Sequence, residues 1–240
     1  MDIKNIKKEF PIFKQKINGK PLVYLDSANS SQKPKIVIDK ISSFYETEYS
    51  NVGRSVHTLA VKATNRFEAT RDKIQKYLNA KHREEIIFTK GATEAINLVA
   101  SSYGKKYINQ GDEILITELE HHSNYVPWNF LRTEKGAIIK FAQVNEDGDI
   151  EIEEIKKLIT NKTKIIAITH ISNVTGAVLP ITKIVDLAKE KNIPVLIDGT
   201  QGAPHSEIDM QKIGCDFYAI SCHKMYGPNG LGILLSLIHI

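Results

Sequence analysis

The stretch 164–201, KIIAITHISNVTGAVLPITKIVDLAKEKNIPVLIDGTQ, decides the fold. It opens on a β-branched apolar run over 164–170, and a second such run fills 194–198. Both are apolar at consecutive positions, the pattern of a parallel strand covered on both faces. Between them, 182–192 sets Ile184, Val185, Leu187 and Ala188 on one stripe, with Lys183, Lys189, Glu190 and Lys191 mostly opposite, which predicts an amphipathic helix. Strand, helix, strand in this order is the unit of a parallel sheet.

The same alternation extends outward. Further strands are predicted over 85–89 (EIIFT), 113–117 (EILIT), 138–142 (IIKFA) and 217–221 (FYAIS). Further helices are predicted over 58–78, 93–103 and 150–159, the last with acids in its first turn, where the helix dipole favours them. Turn signals such as Asn18-Gly19 and Asp147-Gly148-Asp149 are short connectors, and neither repeats nor low-complexity tracts interrupt the body. The expectation is α/β: a mostly parallel sheet with helices on both faces.

Composition narrows the function classes. The 240 residues are 42% hydrophobic and 25% charged, enough for a substantial core and unlike a disordered chain. Lys plus Arg number 32 against 28 Asp plus Glu, a net charge of +4 with no clustered basic face, so no nucleic-acid partner is expected. The longest apolar stretch, 231–240, falls far short of the roughly 20 residues of a membrane helix, and the N-terminus lacks a signal-peptide core. Cys215 and Cys222 cannot make a disulfide framework, so a cytoplasmic, reducing setting is expected.

In open α/β sheets ligands bind beyond the carboxyl ends of the strands, so the polar residues after each apolar run carry the interest. Lys90-Gly91-Ala92-Thr93-Glu94 turns into a helix whose first N–H groups suit a phosphate, or serve as an ordinary N-cap. In Glu120-His121-His122-Ser123-Asn124, adjacent histidines on an extended chain point apart and no spaced partner follows, so a metal site is not predicted. One ring packed on an aromatic ligand, or a plain loop histidine, fits better. Asn173 offers a donor and an acceptor at a strand end, as many loop asparagines do. Asp198 finishes an apolar run, which is costly unless a cation meets it: a ligand's protonated ring nitrogen or a nearby lysine. Ser221-Cys222-His223-Lys224 brings a lysine that can act as a Schiff-base nucleophile if sequestered, and is otherwise solvated. The glycines at 227–232 make no dinucleotide fingerprint. Together these handles match what pyridoxal phosphate requires.

From about Phe10 to Leu234 the sequence resembles the class-V aminotransferase superfamily, and within it the Suf-type (group II) cysteine desulfurases. The resemblance rests on Tyr24-Leu25-Asp26-Ser27-Ala28, Gln32-Lys33-Pro34, Val56-His57-Thr58-Leu59, the Gly91–Val99 helix start, Glu120-His121-His122-Ser123-Asn124 with Pro127-Trp128, Thr169-His170-Ile171-Ser172-Asn173, Asp198-Gly199-Thr200-Gln201 and Ser221-Cys222-His223-Lys224. It implies the fold-type-I large domain of a pyridoxal 5'-phosphate enzyme over 21–234, an N-terminal segment over 1–20, and a tail over 235–240 that departs from the family. It further implies that Lys224 bonds the cofactor and then shuttles the substrate Cα proton, and that Asp198 pairs with the ring nitrogen. His121 would stack on the ring and act as acid or base. Ala92, Thr93, Ser221 and His223 would hold the phosphate, with Asn173 and Gln201 beside the ring hydroxyl.

The implied reaction converts L-cysteine to L-alanine and an enzyme persulfide for iron–sulfur cluster assembly, with a Suf-system acceptor protein and a homodimer in the complete enzyme. Three departures stand out. Gly53 replaces a usual histidine, Cys222 replaces a usual small residue and is expected to be a filler, and the C-terminal small domain with its persulfide cysteine is missing. A truncated or mis-joined reading frame is therefore expected after Leu234, and no desulfuration by the fragment. The alternatives are a related enzyme such as a selenocysteine lyase, or a non-catalytic fragment that binds cofactor or pairs with partners.

Overall fold

The computed structural model describes residues 2–237. Seven strands form the main sheet: β1 (Ile86–Thr89), β2 (Glu113–Thr117), β3 (Ile138–Ala142), β4 (Thr163–Thr169), β5 (Val195–Asp198), β6 (Phe217–Ser221) and β7 (Gly232–Ser236). Their order is β1-β7-β6-β5-β4-β2-β3. Every pairing from β3 through β6 is parallel, while β7 runs antiparallel to both β6 and β1. The principal helices are α1 (Lys35–Thr47), α2 (Thr58–Tyr77), α3 (Ala92–Val99), α4 (Val126–Lys135), α5 (Ile152–Leu158) and α6 (Ile181–Lys189).

Consecutive apolar residues in the strands divide between two cores, as two-sided burial requires. Ile166 and Ile168 of β4 and Ile197 of β5 pack with Ile155 of α5 and Ile184, Val185 and Ala188 of α6. Ile165, Ala167 and Leu196 face the other way, against Ala95, Ile96 and Val99 of α3 and Trp128 and Leu131 of α4. The sheet is thus covered by helices on both faces, the architecture of a fold-type-I large domain.

The predicted elements shift at their ends for local reasons. The strand expected from 85 starts at Ile86, because Glu85 closes a short 3₁₀ turn and accepts the His82 N–H at 3.2 Å. The helix expected over 182–192 ends at Lys189, and Asn192 then turns with φ +54°. The helix expected over 93–103 loosens into a π turn at Ala100–Gly104, where a Cβ on Gly104 would stand 2.6 Å from Leu131 Cδ1. Helices α1 and α4 and strand β7 have no counterpart among the predicted elements. The boundary expected after Leu234 falls inside β7, whose Leu235 and Ser236 still pair with Tyr218 and Phe217. Residues 238–240 of the expected tail lie outside the described residues.

Strand β7 matters for the site because it brings Gly232 against Gly91. A Cβ on Gly232 would stand 2.4 Å from Gly91 Cα, so the absence of a side chain lets the turn before α3 rest directly on the sheet. No helix among the described residues is long and apolar enough to cross a membrane.

Candidate active site

Four parallel strands and α3 deliver their polar ends to one cavity of about 220 Å³. Ala92 and Thr93 enter from the start of α3, and His121 from the loop after β2. Asn173 follows β4, and Asp198 and Gln201 come from the end of β5. Ser221, His223 and Lys224 come from the end of β6. All nine residues singled out in the sequence line this cavity.

One side of the cavity is built from α3 and β6. The Ala92 N–H donates to Ser221 Oγ at 2.8 Å, which locks the helix start to the strand end. Thr93 Oγ1 and Ser123 Oγ lie 2.8 Å apart, and Ser123 Oγ is also 3.0 Å from His121 Nδ1. The Ser123 N–H donates to that same Nδ1 at 3.1 Å, so a neutral His121 carries its proton on Nε2. His122 does not share the cavity; it lines a separate cleft with Glu118 and Tyr125, and the two rings stand at 90°. No group of three or more His, Cys, Asp or Glu able to hold a metal occurs among the described residues.

The opposite side is set by charge. Asp198 is 5% exposed and accepts the Thr200 N–H at 3.0 Å, but forms no ion pair among the described residues. Burial pushes the Lys224 ammonium below the usual lysine range, with Asp198 acting against that shift. His223 is also pushed down, first by burial and then by the charges of Lys224 and Lys33. Gln201 spends one amide hydrogen on the Ala28 carbonyl at 2.7 Å, tying the N-terminal segment to the cavity wall.

Five lining residues escaped the sequence reading: Asn29, Ser123, Thr169, Ile171 and Thr200. Four sit inside motifs already quoted, so only their direction was hidden. Asn29 arrives from a segment that follows no strand of the main sheet. Beneath the cavity, Glu120 ties three elements together: it accepts from Thr117 Oγ1 at 2.7 Å, Asn124 Nδ2 at 2.6 Å and the Thr169 N–H at 2.9 Å. Burial still pushes its carboxyl up to about 8.

The donor set fits pyridoxal phosphate. Hydroxyls of Thr93 and Ser221 beside a helix start suit a phosphate, a buried acid lacking a cation suits a protonated ring nitrogen, and a sequestered amine suits an aldehyde. The Thr200 hydroxyl oxygen is buried on the cavity wall with no hydrogen-bond partner, which a bound ligand would supply.

Fold and site together define the large domain of a fold-type-I pyridoxal-phosphate enzyme. The aminotransferase class-V family model matches residues 23–236, and the chain belongs to that family. A probable cysteine desulfurase of Halalkalibacterium halodurans is 50% identical over 234 residues, spanning 98% of this chain and 58% of that protein. A cysteine desulfurase of Yersinia pseudotuberculosis is 47% identical over 232 residues, spanning 97% and 57%. Among solved structures, the cysteine desulfurase CsdA of Escherichia coli superposes with a TM-score of 0.87 at 35% identity, over 99% of this chain and 58% of that one. The apo cysteine desulfurase of Thermococcus onnurineus gives 0.91 at 31%, over 99% and 57%. The chain spans less than three fifths of the length of these relatives.

Proposed function

We propose that this chain is the cofactor-binding part of a Suf-type cysteine desulfurase acting in the cytoplasm on L-cysteine. The observation that carries the proposal is the placement in one cavity of Lys224 and of Asp198, which forms no ion pair among the described residues, with hydroxyl donors at the α3 end. Thr93, Ser221 and His223, with the start of α3, would hold the phosphate, and Asp198 the ring nitrogen. Asn173 and Gln201 would stand beside the ring hydroxyl, and His121 over the ring face. Bound pyridoxal phosphate supplies an electron sink for the pair left at a substrate Cα.

The side chains do the rest. Lys224, its pKa lowered by burial, is suited to take the Cα proton and return it to the same region. His121, with a proton on Nε2, can donate toward the substrate. In the overall reaction L-cysteine and a thiol give L-alanine and that thiol's persulfide: the carbon–sulfur bond breaks, a sulfur–sulfur bond forms, and the thiol proton ends on alanine.

The accepting thiol is neither cysteine of this chain. Cys215 is fully buried at the far end of β6, and its thiol is pushed far above the usual range by burial. Cys222 packs against the core, and burial pushes it up to about 11, which leaves little thiolate at neutral pH. The thiol therefore belongs to protein outside these 240 residues, and a sulfur-acceptor protein and a homodimeric complete enzyme follow as parts of the proposal.

The experiment is cofactor loading. Pyridoxal phosphate added to the purified chain should give a visible absorbance band, and borohydride should fix the label on the peptide carrying Lys224. Lys224→Ala should abolish both. A band that survives the substitution removes Lys224 from its role.

A further inference from the structure

The Cys222–Lys224 turn that carries the reactive lysine does not hold itself. Cys222 is well served within the turn: its carbonyl accepts from the Met225 and Gly227 N–H groups, both at 2.9 Å. The next carbonyl, that of His223, sits at the end of a single 3₁₀ turn, where backbone acceptors have no helical partner. Four donors from the N-terminal segment converge on it, nearly 200 residues away in sequence. These are the Ser31 N–H at 3.0 Å, Ser31 Oγ at 2.9 Å, Lys33 Nζ at 2.8 Å and, more distantly, Ser30 Oγ at 3.5 Å.

Lys33 also donates to the Ser31 carbonyl at 2.6 Å and makes no ion pair with a carboxylate among the described residues. Its ammonium is held by two carbonyl oxygens, one of them that of the residue before Lys224. Ser31 Oγ in turn accepts the Tyr226 N–H at 2.8 Å. That bond steadies a non-glycine residue at φ +64°, in the left-handed region that side chains disfavour. Gln201 and Tyr24 brace the same segment through the Ala28 and Ser30 carbonyls.

We propose that Lys33 is a positioning residue for Lys224: its ammonium, with Ser31, gathers the His223 carbonyl and fixes the turn from which Lys224 projects into the cavity. The inference rests on Lys224 being the cofactor lysine. The titratable or charged groups around the turn are Asp198 on β5, His121 on the loop after β2 and His223, which share the cavity with Lys224, and Lys33 behind it; of these, Asp198 acts on the Lys224 amine by charge. Lys33 is the member of this set with no place in the cavity, and its charge already reaches His223.

The test compares the wild-type chain with Lys33→Gln, Lys33→Met and Lys33→Arg, each loaded with pyridoxal phosphate. Three quantities are read: the dissociation constant, the pH midpoint of the visible band, and the thermal midpoint without cofactor. Gln and Met should weaken binding about 10-fold, the scale of one charge-assisted hydrogen bond. They should also raise the pH midpoint, because a loosened turn opens the Lys224 nitrogen to solvent and relieves the burial that pushes it down. Arg should restore the midpoint. If Lys33→Met fails to fold, Lys33→Gln decides, since it keeps a donor and lacks only the charge. A lowered thermal midpoint with an unchanged pH midpoint makes Lys33 a fold residue and overturns the proposal. If borohydride places the wild-type label elsewhere than Lys224, the cofactor-lysine assignment fails first, and that result is distinct from a wild-type-like Lys33 variant.

Discussion

Two carboxylates lie at opposite ends of the same sheet, and they are satisfied in opposite ways. Glu113 opens β2, is 7% exposed, and is surrounded: Lys140 Nζ stands 2.9 Å away, Thr160 Oγ1 donates at 2.6 Å and Thr163 Oγ1 at 3.3 Å. Burial works to raise its carboxyl, but those hydrogen bonds and the Lys140 charge outweigh it and leave the group below the usual carboxylate range. Asp198 ends β5, is 5% exposed, and among the described residues has one backbone donor and no cation in ion-pair reach. A buried acid that the protein pairs by itself is architecture. A buried acid that no cation reaches as an ion pair, with Lys224 acting on it only from across the cavity, is open to a ligand's charge.

Glu120 offers the strongest way to break that contrast. It has three donors, like Glu113, and no cation, like Asp198. If hydrogen bonds alone could keep a buried acid ionised, the lack of a cation at Asp198 would mean little. The carboxyl pushed up to about 8 says that they do not suffice. Between the ordinary carboxylate value and about 8 the folded chain then holds a proton that the unfolded chain has released. Stability contributed by the protonated group is fully present below pH 4 and is lost as the pH rises through 8. The loss is at most about 1.4 kcal/mol per pH unit in that window. Urea titrations of the cofactor-free chain at pH 5, 6.5 and 8 should show it, and Glu120→Gln should flatten it. A flat wild-type profile would mean that three hydrogen bonds keep Glu120 ionised, and the contrast would fail.

Asp198→Asn sharpens the contrast from the other side. Asparagine keeps an acceptor for the Thr200 N–H but removes the charge. Pyridoxal phosphate binding should weaken about 100-fold, the upper range for a charged hydrogen bond. The thermal midpoint without cofactor should change little, since the cost of burying the Asp198 charge and its favourable action on Lys224 are removed together. Fluorescence titration and a thermal melt on one preparation read both. A falling melt with unchanged binding would make Asp198 a structural acid like Glu113.

The sequence revealed Asp198 and passed over Glu113 because strand direction was legible. Consecutive apolar runs separated by helical stripes imply parallel strands, and parallel strands put their ligand-facing ends where Asp198, Asn173 and Lys224 stand. The rule reaches only residues that follow a strand. Asn29 and Lys33 come from a segment with no strand of the main sheet before it, and its partner, the His223 carbonyl, is a backbone atom without a side-chain signature. Strand β7 was hidden differently. GILLS at 232–236 reads as one short apolar stretch, and what makes it a strand is the gap between β1 and β6 that it fills antiparallel. The pairing of Glu113 with Lys140 joins neighbouring strands 27 positions apart, and a single sequence carries no register to predict it.

Glu113→Ala tests the structural end of the comparison. The substitution removes the acceptor of Thr160 and Thr163 and leaves Lys140 facing a partly buried gap. Because Lys140 keeps about a quarter of its side-chain surface in solvent and also donates to the Leu158 carbonyl at 3.2 Å, the stranded charge is partly relieved. The expected cost is therefore about 2 kcal/mol, from unpaired donors more than from an uncompensated ion. Chemical denaturation should show that loss, while pyridoxal phosphate binds the folded fraction with unchanged affinity, since Glu113 and the cavity occupy opposite ends of the strands. Adding Lys140→Met to Glu113→Ala should recover part of the stability, because removing both members of a pair costs less than removing one. A loss of cofactor affinity in Glu113→Ala equal to that of Asp198→Asn would show that the two ends of the sheet are coupled, and would erase the distinction between the two acids.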